Sequence, residues 1–394
     1  MLQYCKYQGL GNDFLMVDGR GATDAATDVA TEAATETPTD DTCLGLTPER
    51  IRRLCDRRFG IGADGLIVAA PPREGGELRM RIFNADGSEP EMCGNGIRCL
   101  ARFLADSDGD LPGRRWQVET LAGRIVPELQ PDGSVRVDMG QPFLAPETVP
   151  TTLEIGDAGI PQGSLEAAGE SFQVGAAGMG NPHVVIPVPD LEAVDLERFG
   201  AALEVHPAFP ARTNVHFVQV LTPAHLVMRV WERGAGPTLA CGTGACATLV
   251  VCHALGLAER SARLDLPGGP LQISWDPADD HVWMTGPAEA VFDAVIAPSL
   301  WDPEGVDDLD GQPPSPEATS PEPEPAVVET VSVDCATVCV QGCIRPDDCP
   351  SAAARARVEA LLSSSSLDDL VNLAANSLEN RIRARAERPS SSGG

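Results

Sequence analysis

The feature that most constrains this chain is a motif that occurs twice. Met92-Cys93-Gly94-Asn95-Gly96-Ile97-Arg98-Cys99 is echoed by Ala240-Cys241-Gly242-Thr243-Gly244-Ala245-Cys246-Ala247. Each copy follows a strand-like stretch and opens an apolar run with helical character. The simplest fold with two such units has two similar lobes. Each presents a helix N-terminus with a cysteine at its tip, and the two tips face one another across a cleft. The glycines after each cysteine let a backbone approach a ligand closely. A single copy reads more simply as a tight strand-to-helix turn with a buried thiol; two copies with matching flanks favour a functional pair.

The flanking pattern supplies the rest of the architecture. Strands are predicted on both sides of the Gly9-Leu10-Gly11-Asn12-Asp13 turn, at 65–69 and at 78–84. Thr47-Pro48-Glu49-Arg50 opens a helix to about residue 58, with Thr47 as N-cap and Pro48 at N1. A second helix is expected from Cys93 to Leu104, and residues 116–138 carry a hairpin signal around Pro131-Asp132-Gly133. Residues 141–175 are turn-rich. Strands follow at 183–187, 214–221 and 225–231, a helix at 241–255, and strands at 264–266, 271–275 and 282–285. The expected fold is α/β, with an N-terminal lobe at 1–140 and a C-terminal lobe at 141–287. Residues 288–300 return to the first lobe. The stretch 20–43, rich in Ala, Thr, Asp and Glu, reads as a disordered insertion. An acidic, Pro-rich linker is expected at 302–330 and a cysteine-containing helical tail at 331–394.

Composition narrows the function. The net charge of −29 over 394 residues opposes nucleic-acid binding. No apolar run is long enough for a membrane span, and no secretory signal is visible, so the expected location is the cytoplasm. Twelve cysteines without an export signal do not suggest a disulfide framework. Lys6 is the only lysine and has no phosphate-binding loop beside it. An amino-acid enzyme built on this chain is expected to work without pyridoxal phosphate, which needs a lysine for its Schiff base.

A cysteine at a helix N-terminus has its thiolate favoured by the orphan amide groups, and the same amides bind carboxylate. Two such tips suit removal of a proton from the α-carbon of an amino acid and its return on the opposite face. Cys99, Cys246 and Cys252 fall inside the helices and read as core thiols.

Six stretches in order resemble the diaminopimelate epimerase family. They are Gly9-Leu10-Gly11-Asn12-Asp13-Phe14, Phe83-Asn84-Ala85-Asp86-Gly87-Ser88, Glu91 to Arg98, Gly180-Asn181-Pro182-His183, Arg212-Thr213-Asn214-Val215, and Glu232-Arg233-Gly234 leading into Cys241-Gly242-Thr243-Gly244. The resemblance covers Tyr4 to about Ala297. It implies two pseudo-symmetric lobes, each a curled mixed or antiparallel sheet around a central helix, usually as a homodimer and with no cofactor. The implied activity converts LL-2,6-diaminopimelate to the meso form, in lysine and peptidoglycan-precursor biosynthesis. It implies Cys93 and Cys241 as the acid/base pair, with the backbone of Gly94, Asn95, Gly242 and Thr243 at the reacting carboxylate. Asn12, Asn84, Asn181, Asn214 and Arg233 would hold the substrate, chiefly its distal end, while Glu232 and His183 assist near the reacting centre. The plainer readings are a surface ion pair for Glu232 and a buried strand histidine for His183. Gly65 stands where some family members have a substrate-facing Gln.

Two alternatives stay open. One is another racemase or isomerase of the same fold, of the proline type. The other is a metal-binding or redox-responsive module in the tail, where Cys335, Cys339, Cys343 and Cys349 are candidate ligands. Ser366-Leu367-Asp368-Asp369 resembles a capping box before an apolar stripe, so the tail is expected to pack on itself or dock on a protein partner.

Overall fold

A computed structural model describes residues 2–21, 45–296 and 298–301. The rest of the expected insertion, the linker and the tail with its four cysteines lie outside the described residues. Arg20, placed in the insertion by composition, belongs to the folded lobe instead. Its guanidinium bonds to Asp18 and Asp108.

In the first half, β1 (Gln3–Gly9) and β2 (Asn12–Asp18) form a hairpin. Its two turn residues, Leu10 and Gly11, have φ of 58° and 81°, the doubly positive geometry that matches strand twist. Helix α1 (Pro48–Cys55) begins as predicted, with Thr47 Oγ1 accepting from Arg50 N at 3.2 Å. It ends before residue 58 because Asp56 turns extended and its carboxylate takes the amides of Arg58 and Phe59. Strands β3 (Gly65–Ala70) and β4 (Leu78–Asn84) follow, then helix α2 (Gly94–Asp108), closed by Gly109 at φ 77°. After these come β5 (Val118–Thr120), β6 (Gly123–Ile125), β7 (Glu128–Leu129) and β8 (Val135–Asp138).

The second half runs through β9 (Gln162–Ala167), β10 (Glu170–Gly178), β11 (Pro182–Pro187), α3 (Leu196–Glu204), β12 (Asn214–Thr222) and β13 (His225–Glu232). It continues with β14 (Gly236–Thr238), α4 (Gly242–Ala254), β15 (Ser261–Leu266), β16 (Gly269–Trp275), β17 (Val282–Gly286), β18 (Glu289–Val295) and α5 (Pro298–Trp301).

Two mixed sheets result. The first has seven strands in the order β18-β1-β2-β3-β4-β5-β6, with β18 antiparallel to β1 at its edge. The second has eleven strands and runs β7-β8-β17-β16-β15-β13-β12-β11-β10-β9, with β14 on β13. The expected boundary near residue 140 is displaced by this order. The β7–β8 hairpin pairs with β17 and belongs to the second sheet, because Val135 and Val137 are needed to cover its apolar face. The turn-rich stretch also hides β9 and β10, and α3 has no counterpart among the predicted helices.

Helix α2 packs on β1, β2 and β8, and α4 on β10, β11 and β16. One continuous core contains Ile97, Leu100 and Leu104 of α2 together with Leu249, Val250 and Val251 of α4. Helix α4 is apolar on every side, as a fully enclosed helix must be. Each of its large aliphatic side chains contributes roughly 1.5–3 kcal/mol by leaving water. The shared core holds the two helices against each other and so sets the relation between their N-termini.

Candidate active site

The N-termini of α2 and α4 meet. A methyl group placed on Gly94 would stand 3.8 Å from the Cα of Gly242, and one placed on Gly242 would stand 3.7 Å from the Cα of Gly94. Cys93 and Cys241 are the N-cap residues, both extended, with φ of −139° and −131°. The first backbone bonds of the helices run from Ile97 to Cys93 O and from Ala245 to Cys241 O. The amides of Gly94, Asn95, Gly242 and Thr243 therefore precede the intrahelical ladder and are available to an anion.

The thiols differ in their surroundings. Cys93 is partly exposed, and its sulfur accepts from Gly96 N at 3.4 Å. Cys241 is buried, with its sulfur 3.6 Å from Thr243 Oγ1. Burial pushes both thiols above the ordinary value; backbone amides oppose this at each, and the Glu232 carboxylate adds to it at each. The expectation that a helix tip alone lowers these thiols is thus reversed, because desolvation outweighs the amides. Cys99, Cys246 and Cys252 are core thiols as expected, pushed up to about 12 by burial.

A cleft of about 700 Å³ opens beside Cys93, lined among others by Asn12, Asn84, Glu232, Arg57 and Asp64. The tight β1–β2 turn puts Asn12 at its mouth. Asn12 Nδ2 donates to Asp64 Oδ2 at 2.7 Å, while its Oδ1 accepts from Asn95 Nδ2 at 3.3 Å and lies 3.9 Å from Cys93 Sγ. Arg57 clamps Asp13 and Asp64. Burial raises the Asp13 carboxyl, yet bonds from Arg57 and Lys6 outweigh it and hold the group down at about 2. Asn84 Nδ2 donates to Ser88 Oγ at 2.9 Å. Gly65 is buried in β3, and a methyl group there would meet Phe83 O at 2.4 Å, so no side chain fits without a shift of backbone.

On the other wall, Glu232 Oε1 accepts from Thr238 Oγ1 at 2.6 Å, and burial raises its carboxyl. Asn214 Oδ1 accepts from Arg233 N at 2.9 Å, and its Nδ2 donates to Pro182 O at 2.9 Å. Glu204, at the end of α3, organises this corner. Its carboxylate takes Trp231 Nε1, Gly234 N and the Arg212 guanidinium. The Arg233 side chain is exposed and donates to Ala211 O at 3.1 Å.

His183 is fully buried. Its Nε2 bonds to Asn181 Oδ1 at 2.7 Å and its Nδ1 to His216 Nε2 at 2.8 Å. Burial, then His216 and Arg233, hold it well below the ordinary histidine range, and burial alone takes His216 down to about 3. Both rings are neutral near pH 7. His183, Asn181, Asn214 and Arg233 are absent from the lining of the cleft, whereas Asn12, Asn84, Cys93 and Glu232 are part of it.

Sequence reading missed Arg57, Asp64, Thr238, Glu204 and His216. His216 directly follows the Arg212-Thr213-Asn214-Val215 motif, and that position was the available signal. Among the described residues no His/Cys/Asp/Glu cluster suits a metal ion, and no helix is long and apolar enough to cross a membrane.

Comparison with known proteins agrees with this geometry. The chain is 57% identical over 300 residues to the diaminopimelate epimerase of Prochlorococcus marinus (strain MIT 9313), covering 76% of this chain and 94% of that one. It is 50% identical over 296 residues to that of Acaryochloris marina (strain MBIC 11017), covering 75% and 98%. The fold resembles a probable proline racemase from Agrobacterium radiobacter K84, with a TM-score of 0.51 at 16% identity over 77% of this chain and 95% of that one. The family model for diaminopimelate epimerase matches residues 4–144 and 175–291, which include both helix tips. The chain belongs to the diaminopimelate epimerase family.

Proposed function

We propose that this enzyme inverts one α-carbon of LL-2,6-diaminopimelate to give the meso isomer, with Cys93 and Cys241 as the two proton-transfer groups. The observation that carries this reading is the apposition of the two helix tips, each bearing a cysteine as N-cap. One thiolate takes the α-hydrogen: an S–H bond forms, the Cα–H bond breaks, and the electron pair moves into the carboxylate as an enediolate. The amides of Gly94, Asn95, Gly242 and Thr243 stabilise that charge. The opposite thiol then delivers its proton to the other face of the carbon. Its sulfur becomes the thiolate, so charge and protons balance.

Asn12 and Asn84 line the cleft and suit the ammonium and carboxylate of the substrate. Asn181, Asn214 and Arg233 are assigned to the distal amino-acid end. Glu232 lies against the reacting centre, while His183 acts from behind by holding Asn181. Identity to diaminopimelate epimerases of about half the residues favours this substrate over a proline-type ring, since likeness to the proline racemase is confined to fold. A cytoplasmic homodimer fits the family. Strand β18 is a sheet edge with Val291 53% and Phe292 41% exposed, a surface suited to a second copy. Sedimentation of the enzyme tests that assembly.

Exchange of the α-hydrogen in deuterium oxide tests the mechanism. Cys93→Ala and Cys241→Ala should each abolish epimerisation, and the Ser variants should leave slow one-sided exchange at most. Undiminished epimerisation in either Ala variant refutes the two-thiol reading.

A further inference from the structure

Arg98 is a fully buried arginine on α2, one turn beyond Cys93. Its guanidinium reaches only neutral acceptors: Gly94 O at 3.1 Å, Asn95 Oδ1 at 3.0 Å, Pro287 O at 3.3 Å and Met284 Sδ at 3.5 Å. No carboxylate is among these partners. A buried cation with no anion is strongly unfavourable, and a chain rarely keeps one without use for its charge.

The seat is built for the guanidinium. A methyl group on Gly286 would stand 3.2 Å from Nε and 2.4 Å from Leu271 Cδ2, so a side chain there would crowd the guanidinium and its neighbour. Met284, which Nη1 touches, also packs under both helix tips. Its Cε would lie 3.2 Å from a methyl on Gly94 and its Sδ 3.0 Å from one on Gly242. The charge therefore sits one side chain behind the place where the tips meet. A polar chain then leads to one thiol in particular. Arg98 holds Asn95, Asn95 Nδ2 donates to Asn12 Oδ1, and the protonated Cys93 thiol donates to that same oxygen across 3.9 Å.

We propose that Arg98 is the fixed countercharge of Cys93, a positioning residue that stabilises the thiolate formed when Cys93 gives up its proton. The inference rests on the two-thiol reading above. Burial and the Glu232 carboxylate raise both thiols and amides oppose them at both, but the Arg98 charge acts on Cys93 and the stronger Glu232 contact falls on Cys241. Cys241 interacts with the Glu232 carboxylate both by charge and by hydrogen bond, which keeps its proton in place. At Cys93 the Arg98 charge and the amides of Gly96 and Asn95 work together against the burial that disfavours a thiolate.

The test compares Arg98→Gln, which keeps a donor but loses the charge, with Arg98→Lys, which keeps the charge. In the full-length enzyme, the rate of Cys93 alkylation by iodoacetamide is followed from pH 6 to 10 by peptide mass, beside kcat and KM. Arg98→Gln should move the Cys93 titration upward by about one pH unit or more and lower kcat by at least about tenfold with little change in KM. Arg98→Lys should titrate within about half a unit of the parent and recover much of kcat. Equal upward shifts in both variants, or no shift in Arg98→Gln, overturn the proposal. If Arg98→Gln does not fold, Arg98→Lys decides alone: an upward shift of about a unit there is fatal. Epimerisation that survives in Cys93→Ala removes the two-thiol reading itself. A Cys93 titration indifferent to Arg98, in an enzyme that still depends on Cys93, removes only the countercharge.

Discussion

His183 Nδ1 and His216 Nε2 stand 2.8 Å apart with both rings fully buried, and their hydrogens are ordered by a third residue. Asn181 Oδ1 accepts from His183 Nε2, which leaves Nδ1 of that ring as an acceptor. His216 therefore donates from Nε2 and keeps a bare lone pair on Nδ1, a buried atom with no partner.

Both rings fold neutral, with their affinity for protons depressed by burial. The unfolded chain binds protons at these histidines below its ordinary value near 6.5, where the folded chain does not. Their contribution is therefore complete above about pH 6.5 and is lost as pH falls from there; for His216 the loss continues toward about 3, at about 1.4 kcal/mol per pH unit. Urea unfolding between pH 6.5 and 5 should show stability falling with acid, and His216→Gln should make that fall shallower. A slope unchanged in the variant would mean that the ring is charged in the folded state.

His216 also presses on the second helix tip. A methyl group on Gly244 would stand 2.3 Å from its Cε1 and 2.8 Å from its Nε2, and the hydrogen bond to His183 leaves the ring little freedom. Gly244→Ala should cost about 1–3 kcal/mol of stability by overpacking and lower kcat by displacing Cys241. Denaturant unfolding and steady-state kinetics measure the two effects.

Much of this was legible in the chain. The repeated Cys-Gly-x-Gly motif located both helix tips, and Thr47-Pro48 located the start of α1, because caps and glycines act through local chemistry. Local chemistry does not decide which sheet receives a strand. The hairpin at 128–138 pairs with β17, whose partner residues lie nearly 150 positions further on, and nothing within the hairpin signals that choice. The site divides in the same way. Asn12 and Cys93 could be named from motifs, but Asp64 and Arg57 enter only because β2 and β3 are parallel neighbours. His183 was legible as a motif residue, yet its burial against His216 depends on the pairing of β11 with β12.

Asp64 fixes the amide of Asn12 through a bond of 2.7 Å. Asp64→Ala frees that amide to rotate and removes one of the two carboxylates held by Arg57. The expected result is a rise in KM of about tenfold, the scale of one lost hydrogen bond to a charged group, with a smaller change in kcat. An unchanged KM would place Asn12 outside the substrate site.

If Cys93 and Cys241 act on opposite faces of one carbon, as proposed, their sulfurs are close enough to bridge. Mild oxidation should join Cys93 and Cys241 and stop turnover, and a reductant should restore it. Mass mapping of the bridge beside an activity assay checks this; a bridged enzyme that still turns over would exclude the pair as catalyst.

Trp301 covers the end of α1, with the Arg50 guanidinium 5.0 Å from its ring centre. Truncation directly after Trp301 should leave kcat and KM within about twofold of the full chain, since the residues of the site all precede it. Loss of turnover in a truncated enzyme that retains its fold would assign the later residues to the active site.

The pairing of Gln3 with Val295 has a consequence for synthesis. At roughly 5–20 residues per second, β1 waits on the order of tens of seconds for its outer neighbour. Throughout that interval the hydrogen-bonding edge of β1 is open to any other extended chain, including a nascent copy of itself. The enzyme is thus vulnerable to misassembly until β18 emerges, and its yield in a cell should depend on chaperones that hold nascent chains apart.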